Sequence, residues 1–187
     1  MVVEQKNDPT VGQYAPDFEL PGIDGQVHHL SRYLEKFRVV AVIFICNHCP
    51  YVRLYLDRLK EIQDRFESEG FTAIGINAND TDKYPEDSFE KMKSFAMEKK
   101  LNFPYLWDPS QDVANCFDAR VTPEVFLIDN AGVVRYRGKI DDRPEDPEAV
   151  QNHYLRDNIV ALLSSEQVTT SITEAIGCTI KWREDKN

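Results

Sequence analysis

Cysteine is scarce, 4 in 187 residues, far below the ~8–10% of a chain held together by disulfides. Glycine (8) and proline (10) are too few and too scattered for collagen-like or low-complexity chain. Basic residues are also short, 22 against 32 acidic ones, for a net charge of −10. A mean field of that sign repels phosphate backbones and anionic lipid, so neither nucleic acid nor a membrane surface is an expected partner. Long apolar runs are missing. The longest, Val39 to Cys46 (VVAVIFIC), has eight residues, against the ~20 a spanning helix needs. The start, Met1 to Asp8, lacks the basic-then-apolar pattern of a secretory signal. These features set the expectation of a cytoplasmic protein.

What remains is an ordinary globular composition, 42% apolar and 29% charged. At ~100–200 residues per domain, the length fits one core. The expected division is a tail over 1–10, one domain over 11–165 and a C-terminal extension over 166–187.

Turn formers and short alternating runs between Val11 and Leu30 predict an N-terminal hairpin around Gly22 to Gly25. Seven apolar, mostly β-branched or aromatic residues, Val39 to Ile45, predict a strand buried on both faces. After Pro50, apolar residues at Val52, Tyr55, Leu56, Leu59, Ile62 and Phe66 recur at helical spacing, and Gly70 stops the helix. Phe71 to Ile76 predicts a second buried strand, Asp87 to Lys99 a helix, Phe103 to Leu106 a short strand and Gln111 to Cys116 a short helix. Glu124 to Ile128 and Val133 to Arg137 form a predicted hairpin, and Glu148 to Leu163 a last helix. A parallel crossover followed by an antiparallel hairpin makes this an α/β fold, with a central mixed sheet and helices on both faces.

The chemistry is concentrated in Cys46-Asn47-His48-Cys49, where a buried strand gives way to a helix. Unpaired N–H groups and the positive end of the helix dipole favour a thiolate there, which makes Cys46 the expected low-pKa nucleophile. One helical turn later, Cys49 is positioned to close a disulfide and resolve a mixed one. Pro50 suits the first turn, where its missing N–H costs nothing. Structural zinc needs a second close pair. Cys116 and Cys178 stand 62 residues apart with no such companion, so neither a metal nor another cofactor is expected. A binding module remains as the alternative, because Cys46, His48 and Cys49 together offer soft ligands suited to Cu(I). Its weakness is a missing downstream ligand. His153 falls in the predicted last helix, and His28 and His29 alternate faces on a strand.

The strand, C-x-x-C-P and helix, with Val121-Thr122-Pro123 ahead of the strand Glu124 to Ile128, resemble the thioredoxin fold. Val11 to Leu20 (VGQYAPDFEL) is similar to the start of the peroxiredoxin (AhpC/TSA) and TlpA-like branch. Ile45 to Val52 (ICNHCPYV), Arg120 to Leu127 (RVTPEVFL), Gly138 to Asp142 (GKIDD) and Gly177 to Trp182 (GCTIKW) resemble peroxiredoxin-like thioredoxin-family proteins. The resemblance spans most of the chain. It implies a three-layer thioredoxin-like domain and thiol–disulfide oxidoreductase activity. It also implies a cis-proline at Pro123, with Thr122 and Pro123 facing the cysteines to receive substrate. Expected partners are a protein disulfide or a small thiol or peroxide, with an external reductant to restore the dithiol.

This chain departs from the peroxidase pattern. Peroxiredoxins place a proline and a threonine seven and three residues before the peroxidatic cysteine. Counting back from Cys49 gives Val42 and Cys46, and from Cys46 gives Val39 and Ile43. The set that orients a peroxide is absent, and Arg120 is the one candidate to compensate. His48 before the second cysteine resembles disulfide isomerases and periplasmic oxidants. An imidazolium there stabilises the thiolate and raises the potential, from the ~−270 mV of thioredoxin towards ~−180 mV, about 4 kcal/mol. Such a pair rests reduced in cytosol. Cys116 is expected to be a buried, inert thiol. Cys178 is a candidate third thiol that relays oxidation from Cys46 and Cys49.

Overall fold

The computed structural model describes residues 10–184, so most of the 1–10 tail and the last residues of the 166–187 extension lie outside the described residues. A hairpin of β1 (Glu19–Pro21) and β2 (Val27–His29) leads into α1 (Leu30–Lys36) and the central strand β3 (Val39–Phe44). Next come α2 (Pro50–Phe66), β4 (Phe71–Asn77), α3 (Phe89–Glu98), β5 (Tyr105–Trp107) and α4 (Asp112–Cys116). The chain ends with β6 (Val121–Thr122), β7 (Glu124–Asp129), β8 (Val134–Gly138), α5 (Tyr154–Leu163) and β9 (Cys178–Thr179).

The sheet order is β5-β4-β3-β7-β8. β3 runs parallel to β4 and antiparallel to β7, so the sheet is mixed, as the connection types predicted. Every residue of β3 is buried, because the pleat sends alternate side chains to two covered faces. Val39, Ala41 and Ile43 join a core with Val52, Leu56 and Leu59 of α2, Met92 and Phe95 of α3, and Leu155 and Ile159 of α5. Val40, Val42 and Phe44 join a second core with Leu30, Leu106, Ala114, Phe117 and Phe126. The α/β, thioredoxin-like architecture with its N-terminal hairpin is therefore the observed one.

Several local expectations change. Helix α1 was not anticipated, since it has only seven residues and its N-cap, His29, makes no side-chain capping bond. The last helix starts at Tyr154, not Glu148: Asp146 accepts from the N–H groups of Glu148 and Ala149 and closes a separate 3₁₀ turn over Pro147–Ala149, after which Val150 is extended. His153 becomes the N-cap of α5. Cys116 is exposed, not buried, because Ala114 and Phe117 take the inward positions of that short helix. Two acidic loop residues turn inward. Asp80 is buried, and so is Asp141, which accepts from Tyr55 Oη at 3.0 Å and Arg58 Nη1 at 2.6 Å. Gly70, at φ 102°, ends the turn after α2 in the left-handed region that the sequence stop required.

Candidate active site

Strand β3 delivers the C-x-x-C to the carboxyl end of the sheet, and the Ile45 N–H donates to the Ile76 carbonyl at 2.9 Å just before it. The helix register differs from expectation. α2 begins at Pro50, so Cys49 is its N-cap and Cys46 lies a turn earlier, outside the helix. Both sulfurs are covered: Cys46 is 1% and Cys49 0% exposed.

The Thr122–Pro123 peptide bond is cis, and this loop faces both cysteines, as the resemblance implied. Thr122 Oγ1 lies 3.6 Å from Cys46 Sγ, and the Thr122 carbonyl accepts from Cys49 Sγ at 3.2 Å. Glu124 buttresses the loop from behind. Its Oε2 accepts from the Arg120 N–H at 2.7 Å, and its Oε1 accepts from Arg137 Nε at 3.0 Å.

A second network holds the other side. Asp87 is fully buried. Its Oδ1 accepts from the Asn47 N–H at 2.7 Å and from Asn77 Nδ2 at 3.2 Å, and its Oδ2 from Asn79 Nδ2 at 2.9 Å. His48 Nδ1 lies 2.6 Å from the same Oδ2. Nδ1 nevertheless makes no hydrogen bond of good geometry with it. Tyr84 stacks on the imidazole at 6.0 Å and 3°, and Tyr105 Oη donates to Asn47 Oδ1 at 2.7 Å. Donor atoms of Cys46, His48 and Asp87 all fall within 4.8 Å of one another. Asp87 and Asn47 went unnoticed in the sequence. An aspartate in the run TDKYPEDS looks like any solvated turn residue, and only the fold buries it.

The field at the two thiols is opposite to the sequence expectation. Cys49 is held down to about 4, first because the Cys46 S–H donates to it, and then because Thr122, Cys178 and the Val52 N–H in the first turn of α2 favour the anion against the cost of burial. The Thr122 carbonyl opposes the anion, yet the donors around the helix terminus outweigh it. Cys46 is driven upward by donating to Cys49, by burial and by the nearby Asp87 charge. His48 lies close to Cys46 and against Asp87.

Cys178 enters from the far end of the chain. Its thiol is in hydrogen-bonding contact with Cys49, near disulfide distance. Partial burial and the Cys49 neighbour push it up to about 11.

A pH dependence follows from the pair. An unfolded chain holds these thiols near ~8.5. Through Cys49, the reduced protein gains stability as pH rises from about 4 towards that value, and loses it as pH falls through about 4. Above it, the upward shift of Cys46 reverses the slope. The disulfide form lacks both groups. The urea midpoint of the reduced protein, relative to the oxidised one, should rise between pH 5 and 8; a flat or falling difference would contradict a stabilised Cys49 thiolate.

Other candidates fall away from the site. Arg120 is exposed and pairs with Asp118 at 2.8 Å, so it does not supply the missing peroxidase contact. His28 binds Asp24 and Tyr33 in the N-terminal hairpin. A cavity of about 490 Å³ opens beside Arg38, Asp129, Arg135 and Glu166 and touches no cysteine.

Residues 11–137 match the AhpC/TSA family. The thiol–disulfide oxidoreductase ResA of Geobacillus kaustophilus is 30% identical over 131 residues, 70% of each chain. The thiol:disulfide interchange protein DsbE of Escherichia coli is 26% identical over 149 residues, 74% of this chain and 73% of that one. An uncharacterized conserved protein from Geobacillus kaustophilus superposes with a TM-score of 0.89 at 36% identity, covering 96% of this chain and 95% of that structure. These relatives overturn the cytoplasmic expectation, since ResA and DsbE are extracytoplasmic thiol–disulfide oxidoreductases. Net charge and short apolar runs describe a folded domain equally well on either side of a membrane, so they carried no information on compartment. No helix among the described residues is long and apolar enough to cross a membrane. With reactive thiols gathered at the end of a central strand, on a thioredoxin-like fold that matches through most of its sheet, the chain belongs to the AhpC/TSA family.

Proposed function

We propose that the chain catalyses thiol–disulfide exchange through Cys46 and Cys49, which alternate between dithiol and disulfide within the 11–165 domain. The observation that carries this reading is the convergence of both sulfurs on one residue, Thr122, at 3.6 and 3.2 Å. Two thiols held against one residue, Cys46 at its side-chain hydroxyl and Cys49 at its backbone carbonyl, are brought together for a disulfide to close. The surroundings of Cys49 favour its anion, and those of Cys46 disfavour it. This exchanges the roles expected from sequence, because the helix terminus is at Cys49. His48 is a positioning residue, tied to Asp87 at 2.6 Å. Thr122 and Pro123 shape the face that receives substrate.

The partner class is a protein thiol or disulfide, in keeping with relatives named for thiol–disulfide interchange; a small thiol and an external dithiol reductant are the finer readings. Peroxide reduction is not favoured: Arg120 is engaged elsewhere, and no threonine stands three residues before either cysteine. The copper-carrier reading loses its main support. His48, the third soft donor, lies against the hard carboxylate of Asp87, with which it and Cys46 form the tight group, and Cys49 stands outside that group.

Thiol trapping in glutathione and dithiothreitol buffers should show Cys46 and Cys49 passing together between dithiol and disulfide, with turnover of insulin disulfides. A pair that never closes in oxidising buffer would defeat the assignment.

A further inference from the structure

We propose that Cys178 is the sulfur through which an external dithiol re-reduces the Cys46–Cys49 disulfide, presented by a strand of the chain's own C-terminal segment that stays docked over the site. The proposal rests on the exchange reading above and names the route by which electrons reach the pair.

Three observations carry it. The first is access. Cys46 and Cys49 are 1% and 0% exposed, whereas Cys178 is only partly buried. Of the three sulfurs, Cys178 is the most open to a reductant that must approach in line with an S–S bond.

The second is placement. β9 pairs antiparallel with β6, and the register sets Cys178 opposite Thr122, the residue both active-site sulfurs contact. The approach is close enough to demand a glycine next door: a Cβ on Gly177 would overlap the Thr122 carbonyl. Cys178 thereby comes against Cys49, near disulfide distance.

The third is anchorage, which keeps the strand in place during exchange. Upstream, the Arg137 N–H donates to the Ser171 carbonyl at 3.0 Å, and the Lys139 N–H to Thr173 Oγ1 at 2.8 Å. Downstream, the Ile180 N–H donates to the Arg120 carbonyl at 3.0 Å, and the Lys181 N–H to Asn79 Oδ1 at 2.9 Å. Gln111 closes the far end, accepting from the Arg183 N–H at 2.9 Å. Residues 174–178 cross the site between these clamps.

The exchange balances without an added oxidant. Starting from the Cys46–Cys49 disulfide, the Cys178 thiolate attacks Cys49 Sγ. The Cys49–Cys178 bond forms, the Cys46–Cys49 bond breaks, and the electron pair leaves on Cys46 Sγ, which takes up the proton that Cys178 gave to solvent. An external dithiol then attacks Cys178 Sγ, forming a mixed disulfide and expelling Cys49 as thiolate. The second thiol of the reductant displaces Cys178, and the reductant leaves as a disulfide. The surroundings of Cys178 and Cys49 suit the route. Once Cys49 is in a disulfide, its anion no longer holds the Cys178 proton in place. In the second step the departing Cys49 is the most acidic thiol of the three, and an acidic thiol leaves fastest.

The test oxidises wild type, Cys178→Ala and Cys46→Ala with diamide, then follows re-reduction by dithiothreitol with maleimide trapping and mass mapping. Wild type and Cys178→Ala should both form the Cys46–Cys49 disulfide, and Cys178→Ala should regain its thiols at least about ten-fold more slowly. Cys46→Ala should yield a Cys49–Cys178 disulfide that dithiothreitol opens at the wild-type rate. Re-reduction of Cys178→Ala at the wild-type rate, or no Cys49–Cys178 link in Cys46→Ala, overturns the relay while leaving the pair intact. Absence of the Cys46–Cys49 disulfide from wild type as well as Cys178→Ala is a different failure, which removes the exchange reading itself. Should Cys178→Ala fold poorly, the mapping in Cys46→Ala decides alone.

Discussion

Replacing Cys49 by serine brings insulin-disulfide reduction down to the rate in buffer, a loss of about 10³-fold or more. Cys46→Ser does the same, and the double variant is no worse than either single one, because two sulfurs that share a bond act as one unit. The two substitutions separate in thiol titration. Serine at position 46 keeps a hydroxyl where the Cys46 S–H donated, so the remaining Cys49 still carries a thiolate at neutral pH. Serine at position 49 removes the anion, and Cys46, beside the buried Asp87 charge, stays protonated. Ultraviolet thiolate absorbance at pH 7 should persist in Cys46→Ser and vanish in Cys49→Ser. The reverse pattern would return the thiolate to Cys46, as the motif alone suggests.

The largest loss of stability is expected from Glu124→Ala. Glu124 is 4% and Arg137 3% exposed. The carboxylate serves two masters, pairing with Arg137 at 3.0 Å and accepting from the Arg120 N–H at 2.7 Å. Removing one member of a buried pair costs about 3–5 kcal/mol. Arg137 keeps bonds to Thr10 and Asp118, which places the effect near the lower end of that range. Glu124→Gln retains an acceptor and should cost roughly 1–2 kcal/mol. Urea unfolding with an unchanged slope is the measurement. Turnover should fall in both variants at temperatures where they remain folded, since Glu124 holds the segment that carries Thr122. An alanine variant within about 0.5 kcal/mol of wild type would mean that the pair and its backbone bonds are dispensable.

Much of the fold could be read in the sequence where burial was complete on two faces. Val39 to Ile45 and Phe71 to Ile76 announce themselves because both sides of the sheet are covered, leaving Thr72 as the one polar residue in either run. Helix α2 was equally plain from its apolar spacing. Boundaries were harder, because they depend on capping contacts that residue type does not fix: Asp146 closes its own turn ahead of α5, and His29 starts α1 without a side-chain bond. Of the site, the C-x-x-C, His48 and the Thr122–Pro123 loop could be named from motifs. The assignment of charge between the cysteines could not, since it turns on whether Cys46 or Cys49 caps the helix, and a shift of one turn leaves the motif unchanged. Asp87 was illegible for a different reason. Its partners come from two segments, Asn47 after β3 and Asn77 and Asn79 at the end of β4, which only the crossover from β3 to β4 brings together around it.

The β6–β9 pairing also has a meaning for biosynthesis. Residues 39–138 contain all five strands of the main sheet and both members of the C-x-x-C, and domains tend to fold as they emerge, at ~5–20 residues per second. The strand that brings Cys178 against Cys49 follows the last sheet strand by 40 residues, counted from Gly138 to Cys178. For a few seconds during each synthesis the nascent protein therefore holds Cys49, its most acidic thiol, without Cys178 against it. In that interval it is most exposed to oxidation, and to mixed disulfides with other chains.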